Sequence, residues 1–195
     1  MKNSSVAGYL LRKMLEHKVL MINFNEEFQL NNGQYSKFFY NFGQFKTSLG
    51  LHELGFVFGQ TIHEYKLQFD VLFGAAYKGI RIVDATAYWM WTFRDRDKEL
   101  NVEICHDRKE MKKHGEKGDL IGADVTGKRI LILDDVMTSG KAAKRVLNTL
   151  SQYDVASVEI LVGVNRGELE EIDGVKIHHI IHHKDVVSQL DHGLT

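Results

Sequence analysis

Apolar residues recur at helical spacing from the start of the chain: Val6, Leu10, Leu11, Met14 and Leu15 fall on one face, with Arg12, Lys13 and Glu16 between them. That stripe predicts an amphipathic helix over residues 5–18, with Ser4 or Ser5 as its cap. Residues 19–24 and 27–30 have the pattern of short strands, Asn31-Asn32-Gly33 that of a turn, and residues 37–42 (KFFYNF) that of an aromatic strand. Thr47 and Ser48 are placed to cap a second helix that turns Leu51, Leu54, Phe58 and Ile62 inward.

Beyond Asp70 the rhythm changes. Brief apolar runs predict strands at 71–73, 102–105, 129–133, 157–164 and 176–181, and amphipathic segments predict helices at 79–93, 139–152 and 185–190. Alternation of this kind indicates an α/β fold, a central mainly parallel sheet flanked by helices on both faces. Ligands of such sheets bind at the carboxyl ends of the strands. Residues 107–119 are the one long candidate loop.

Composition narrows the function classes. At 195 residues, 44% hydrophobic and 26% charged, the chain suits one folded domain over 1–195 and excludes a disordered one. A net charge of −1 provides no general footprint for nucleic acid. The single cysteine, Cys105, excludes an internal disulfide and fits a reduced, cytoplasmic setting. The greasiest stretch, residues 80–93, is broken by Arg81 and Asp84 and is too short to span a bilayer, so no membrane partner is expected. His178, His179, His182 and His183 alternate between strand faces, so no protein-ligated metal is expected from them. There is no proline at all, where average usage would give about ten.

The strongest chemical signal is ILILDDVMTSGKA at residues 130–142. A buried strand delivers Asp134 and Asp135 to its C-terminal edge. Thr138, Ser139 and Gly140 then form a small-residue turn at the start of a helix, where unpaired N–H groups and the helix dipole favour an anion. Carboxylates beside a phosphate cradle repel a bare anion but accept hydrogen bonds from sugar hydroxyls, so the pattern suggests a ribose 5-phosphate. A second signal is the cationic run Arg108, Lys109, Lys112, Lys113 and His114, with hinge glycines at 115 and 118.

The 130–142 segment resembles the phosphoribosyl-diphosphate (PRPP) motif of the type I phosphoribosyltransferases. FGAAYKGI at 73–80 resembles the pyrophosphate loop of the orotate phosphoribosyltransferases, and RKEMKKHGEKGDLIG at 108–122 resembles that family's mobile catalytic loop. The resemblance implies a type I phosphoribosyltransferase-like fold, with a small N-terminal hood from about residues 1–45 and a PRPP-binding core over about 65–185. It implies transfer of phosphoribose from PRPP to orotate, giving orotidine 5′-monophosphate and diphosphate. By the same resemblance PRPP is held by Tyr77, Lys78, Arg108, Lys109, Lys112, His114, Asp134, Asp135, Val136, Met137, Thr138, Ser139, Gly140, Lys141 and Ala142. Lys112, Asp134 and Asp135 are the catalytic candidates. Orotate is held by Phe39, Tyr40, Thr138 and Arg166, the last pairing with its carboxylate.

The resemblance further implies Mg²⁺ carried by substrate oxygens and water without direct protein ligation. It also implies a homodimer in which the loop from Arg108 to Gly118 closes over the neighbouring subunit's site. The chain departs from the family at Asn31, where a substrate-reaching lysine is usual, and it ends about one helix earlier than bacterial members. Family prolines fall at Lys37, Ala75 and Arg81, the pattern expected of an engineered proline-free variant. A purine or other base phosphoribosyltransferase, a PRPP-binding regulator of the same fold and a catalytically weakened member are the alternatives.

Overall fold

Ser5 caps the first helix: its hydroxyl accepts a hydrogen bond from Gly8 N at 3.3 Å, and α1 runs Val6–Glu16. The computed structural model describes residues 5–30, 33–93, 101–108 and 120–191. Four short strands follow α1: β1 (Leu20–Ile22), β2 (Phe28–Gln29), β3 (Tyr35–Ser36) and β4 (Phe38–Tyr40). β1 pairs antiparallel with β4, Leu20 opposite Tyr40, and β2 pairs with β3, Phe28 opposite Ser36. These two ribbons lie in the N-terminal stretch expected to form the hood. A 3₁₀ turn at Phe42–Gln44 leads out of it.

Thr47 caps α2 (Ser48–Tyr65), accepting from Gly50 N at 3.0 Å. Leu54, Phe58 and Ile62 are buried as the spacing predicts, whereas Leu51 is only partly covered, because it lies on the flank of the inward stripe. α2 lies close against α3 (Lys78–Phe93): a Cβ on Gly55 would stand 2.3 Å from the Ala85 carbonyl oxygen, so the contact requires a residue without a side chain.

The main sheet contains β5 (Val71–Gly74), β6 (Glu103–Asp107), β7 (Leu120–Gly122), β8 (Arg129–Met137), β9 (Ser157–Asn165), β10 (Glu171–Ile172) and β11 (Val175–His182). Its order is β10-β11-β9-β8-β5-β6-β7, parallel in the middle with an antiparallel strand at each edge. Side-chain alternation gives the sheet two cores. Leu72, Leu131, Leu133 and Leu161 face α1, α2 and α3, while Val71, Phe73, Ile130, Ile132 and Val162 face α4 (Lys141–Leu150). A last helix, α5 (His183–Asp191), follows β11 directly.

The structure differs from the sequence expectation most at the end of β8, the start of α4 and the sheet edges. β8 continues past Leu133 to Met137 because β9 keeps pairing with it as far as Met137 opposite Asn165, although β5 stops at Gly74 opposite Leu133. α4 begins at Lys141 rather than 139, because Gly140 takes a left-handed φ of +74° and serves as the cap. β7 and β10 are short edge strands within polar segments whose own pattern carries no strand signal. Among the described residues no helix is long and apolar enough to cross a membrane.

Candidate active site

β8 outruns β5 by four residues, so its last turns stand at the open carboxyl end of the sheet with a neighbour on one side only. Asp134 and Asp135 occupy that overhang. The Asp134 carboxylate accepts from Asp135 N at 2.9 Å, and Asp135 Oδ1 accepts from Val136 N at 2.9 Å. Asp135 Oδ2 lies 2.8 Å from Lys78 Nζ, at the first turn of α3. Burial, and then the charge of Asp135, raise Asp134 well above the usual carboxylate range, with Lys78 opposing the shift.

Thr138 and Ser139 carry the chain from β8 to α4, and Gly140 closes the turn. Its positive φ is what favours glycine there. No side chain caps α4, so its first N–H groups face the cleft. Across the cleft Arg166 follows β9, its backbone N donating to Met137 O at 2.8 Å. Its guanidinium donates to Phe38 O at 3.0 Å and Ser36 Oγ at 2.6 Å, and lies over the Tyr40 ring at 5.6 Å. The hood is thereby tied to the sheet.

A cleft of about 300 Å³ gathers most of the residues predicted from sequence: Phe39, Tyr40, Lys78, Asp134, Asp135, Val136, Met137, Thr138, Ser139, Gly140, Lys141, Ala142 and Arg166. Tyr77 is beside it, 64% exposed, with its ring outside the lining. Arg108 lies just beyond the end of β6 and outside the lining. Lys109, Lys112 and His114 lie outside the described residues, as does Asn31.

Sequence reasoning missed the support beneath the pyrophosphate loop. Buried Asp107, the last residue of β6, accepts from Ala76 N at 2.6 Å and pairs with Arg145 of α4. Arg145 also donates to Ala76 O at 3.3 Å. The loop that presents Tyr77 and Lys78 is thus clamped from two elements; the Ala76–Tyr77 peptide within it is cis. A carboxylate closing an apolar strand was the available signal. The histidines, weighed in the sequence only as ligands, have other partners: His178 bonds Glu159 at 2.5 Å, His182 the Gly167 carbonyl at 3.0 Å, and His183 the Tyr40 hydroxyl at 2.7 Å. Among the described residues no group of three histidines, cysteines or carboxylates converges on one point.

A family model for the phosphoribosyl transferase domain matches residues 46–187. An orotate phosphoribosyltransferase of Cellvibrio japonicus is 38% identical over 189 residues, covering 91% of this chain and 84% of the relative. One of Pseudomonas syringae pv. tomato is 39% identical over 155 residues, covering 77% and 70%. The solved orotate phosphoribosyltransferase of Francisella tularensis superposes with a TM-score of 0.75 at 26% identity, over 93% of this chain and 89% of that one. Both the paired carboxylates on β8 and the guanidinium across the cleft fall inside the matched span, and the chain belongs to the phosphoribosyltransferase domain family, among the orotate phosphoribosyltransferases.

Proposed function

We propose that the chain transfers the 5-phosphoribosyl group from PRPP to orotate, releasing diphosphate and orotidine 5′-monophosphate, a step in pyrimidine nucleotide synthesis. One observation carries this reading: a single cleft gathers an acidic pair, a lysine ion-paired to it and, across the cleft, a guanidinium. Each suits a different part of the two substrates. The open N-terminus of α4, with Thr138 and Ser139, takes the 5-phosphate. Asp134 and Asp135 accept hydrogen bonds from the ribose hydroxyls. Lys78 meets the diphosphate, and Arg166, with its planar fork, meets the orotate carboxylate. Phe39 and Tyr40 lie alongside the base.

In the reaction the bond between sugar C1 and the diphosphate oxygen breaks and its electron pair leaves with diphosphate. The ring nitrogen of orotate supplies the pair for the new bond to C1, and the proton it carried passes to the departing diphosphate or to water. Asp134 and Asp135 favour the positive charge that develops on the sugar ring, and Lys78, with Arg108, Lys109, Lys112 and His114 from the following loop, favours the charge on the leaving group. This is preorganised electrostatics rather than covalent catalysis. For Mg²⁺ the donor set fits only in part: the described cleft offers the adjacent Asp134 and Asp135 and no third ligand beside them. A hard cation here would be carried by PRPP oxygens and water, with Asp134 and Asp135 at most as outer partners, and would offset diphosphate charge.

A second copy of the chain is the partner this reading calls for. Tyr88, Trp91 and Phe93 of α3 and Leu49 of α2 are all exposed, apolar surface of the kind a homodimer buries. In this reading the loop from Arg108 to Gly118 of one subunit serves the other's cleft.

Two measurements test the assignment. Replacing Asp134 and Asp135 together by Asn is expected to abolish thermal stabilisation by PRPP; unchanged stabilisation refutes the ribose contacts. Lys112→Ala is expected to lower kcat far more than it raises the KM for PRPP, and a change in KM alone removes its catalytic role.

A further inference from the structure

The Tyr40 hydroxyl ends away from the cleft, buried against the N-terminus of α5, and its partner there is His183 Nδ1 at 2.7 Å. The same imidazole stands edge-on to both Phe38 and Tyr40, with ring centres 5.3 and 5.8 Å apart. Phe38 and Tyr40 are the ends of β4, and Phe38 O and the Tyr40 ring are two of the three supports of the Arg166 guanidinium. His183 therefore sits behind the wall that holds Arg166, without lining the cleft itself.

The protonation states suit that arrangement. Burial, followed by the nearby charges of Arg166 and His182, lowers His183 to about 4, and burial raises Tyr40. Near neutrality the imidazole is uncharged and the phenol keeps its proton; in the tautomer with the ring proton on Nε2, Tyr40 donates and Nδ1 accepts. The guanidinium has five N–H donors. Phe38 O and Ser36 Oγ take one each, and the remainder are available to a carboxylate.

We propose that His183 is a positioning residue for the base site: by fixing the Tyr40 ring it holds the Arg166 guanidinium in the orientation that receives the orotate carboxylate. The proposal rests on the assignment of Arg166 to orotate made above. It places a determinant of orotate affinity on α5, outside the cleft.

Steady-state kinetics with each substrate varied in turn test it, on the full chain with Mg²⁺. His183→Leu is expected to raise the KM for orotate about five- to tenfold, with kcat and the KM for PRPP within about twofold. His183→Asn, which returns an acceptor oxygen near the place of Nδ1, restores most of the loss. Tyr40→Phe removes the same hydrogen bond from the other side while keeping the ring, and in that background His183→Leu adds nothing further. Equal changes in both KM values, no change for Tyr40→Phe, or an undiminished His183→Leu effect in the Tyr40→Phe background overturns the proposal and leaves the function standing. Absence of orotate turnover by the unmodified chain overturns both.

Discussion

Lys78 Nζ lies 2.8 Å from Oδ2 of Asp135, so in the free cleft the cation assigned to diphosphate neutralises a carboxylate assigned to ribose. The two are unequally exposed: the lysine side chain is half open to solvent and the aspartate almost covered. On the proposed assignment, PRPP supplies each with a partner of its own and takes the pair apart. Lys78→Ala removes the leaving-group cation and leaves Asp135 buried without its counter-charge. The KM for PRPP is expected to rise about tenfold or more, and stability to fall by about 1–2 kcal/mol, small for a buried pair because the lysine is half solvated. Equilibrium urea unfolding separates the second effect from the first.

Asp134 carries the opposite signature. Its carboxyl is raised above its unfolded-state value by burial and by Asp135, so at neutral pH ionisation opposes folding there. Asp134→Asn keeps the acceptor for Asp135 N and removes that ionisable proton. The variant is expected to melt higher than the unmodified chain at pH 8, with the gain shrinking toward pH 4, while losing its response to PRPP. Because ribose hydroxyls donate to the ionised form, PRPP affinity in the unmodified chain rises with pH through neutrality and binding releases a proton. Titration calorimetry in two buffers of different ionisation heat reads that proton directly; a pH-independent affinity contradicts the assignment.

The clamp formed by Asp107 and Arg145 predicts a selective defect. Asp107 is buried and bonds Ala76 N, while Arg145 is part-exposed and bonds Ala76 O. Arg145→Ala is expected to destabilise the fold by about 1–3 kcal/mol, discounted for solvent screening of the arginine. By loosening the loop that presents Tyr77 and Lys78, it also raises the KM for PRPP about fivefold or more and leaves the KM for orotate unchanged. Kinetics with each substrate varied separately check the asymmetry.

His183 gives the fold an acid-sensitive contact. Its folded value of about 4 lies below the ordinary imidazole value of 6.5, so the unfolded chain binds the proton first as pH falls. Its contribution is complete above about pH 6.5 and is lost progressively toward pH 4. The melting temperature of His183→Leu is therefore expected to fall less steeply across that window than that of the unmodified chain, as scanning calorimetry at stepped pH would show. Parallel slopes contradict the neutral imidazole at Tyr40.

What could be read from sequence followed the range of the interactions. α2 and the strands β5, β8, β9 and β11 carry their own periodicity, and the Asp134 to Ala142 segment is contiguous, so both elements and site were visible without a fold. β7 and β10 were not, because a two- or three-residue edge strand exists only through its neighbour's backbone. The end of β8 was misplaced for a related reason. Two aspartates end an apolar run, yet β9 continues the ladder beneath them. Asp107, Arg145, Ser36 and His183 matter through partners 31 to 143 residues away, which no local pattern records. The missing prolines leave α3 intact at Arg81, which donates to Phe45 O at 2.7 Å, while Ala75 follows β5 and Lys37 is a bend between β3 and β4 rather than part of the expected strand.

The most direct test of the whole account is base consumption by the purified chain with PRPP and Mg²⁺, orotate being run beside hypoxanthine and adenine. The account predicts loss of orotate matched one to one by diphosphate release, with neither purine consumed. Consumption of a purine in place of orotate, or PRPP binding without turnover of any base, would contradict it.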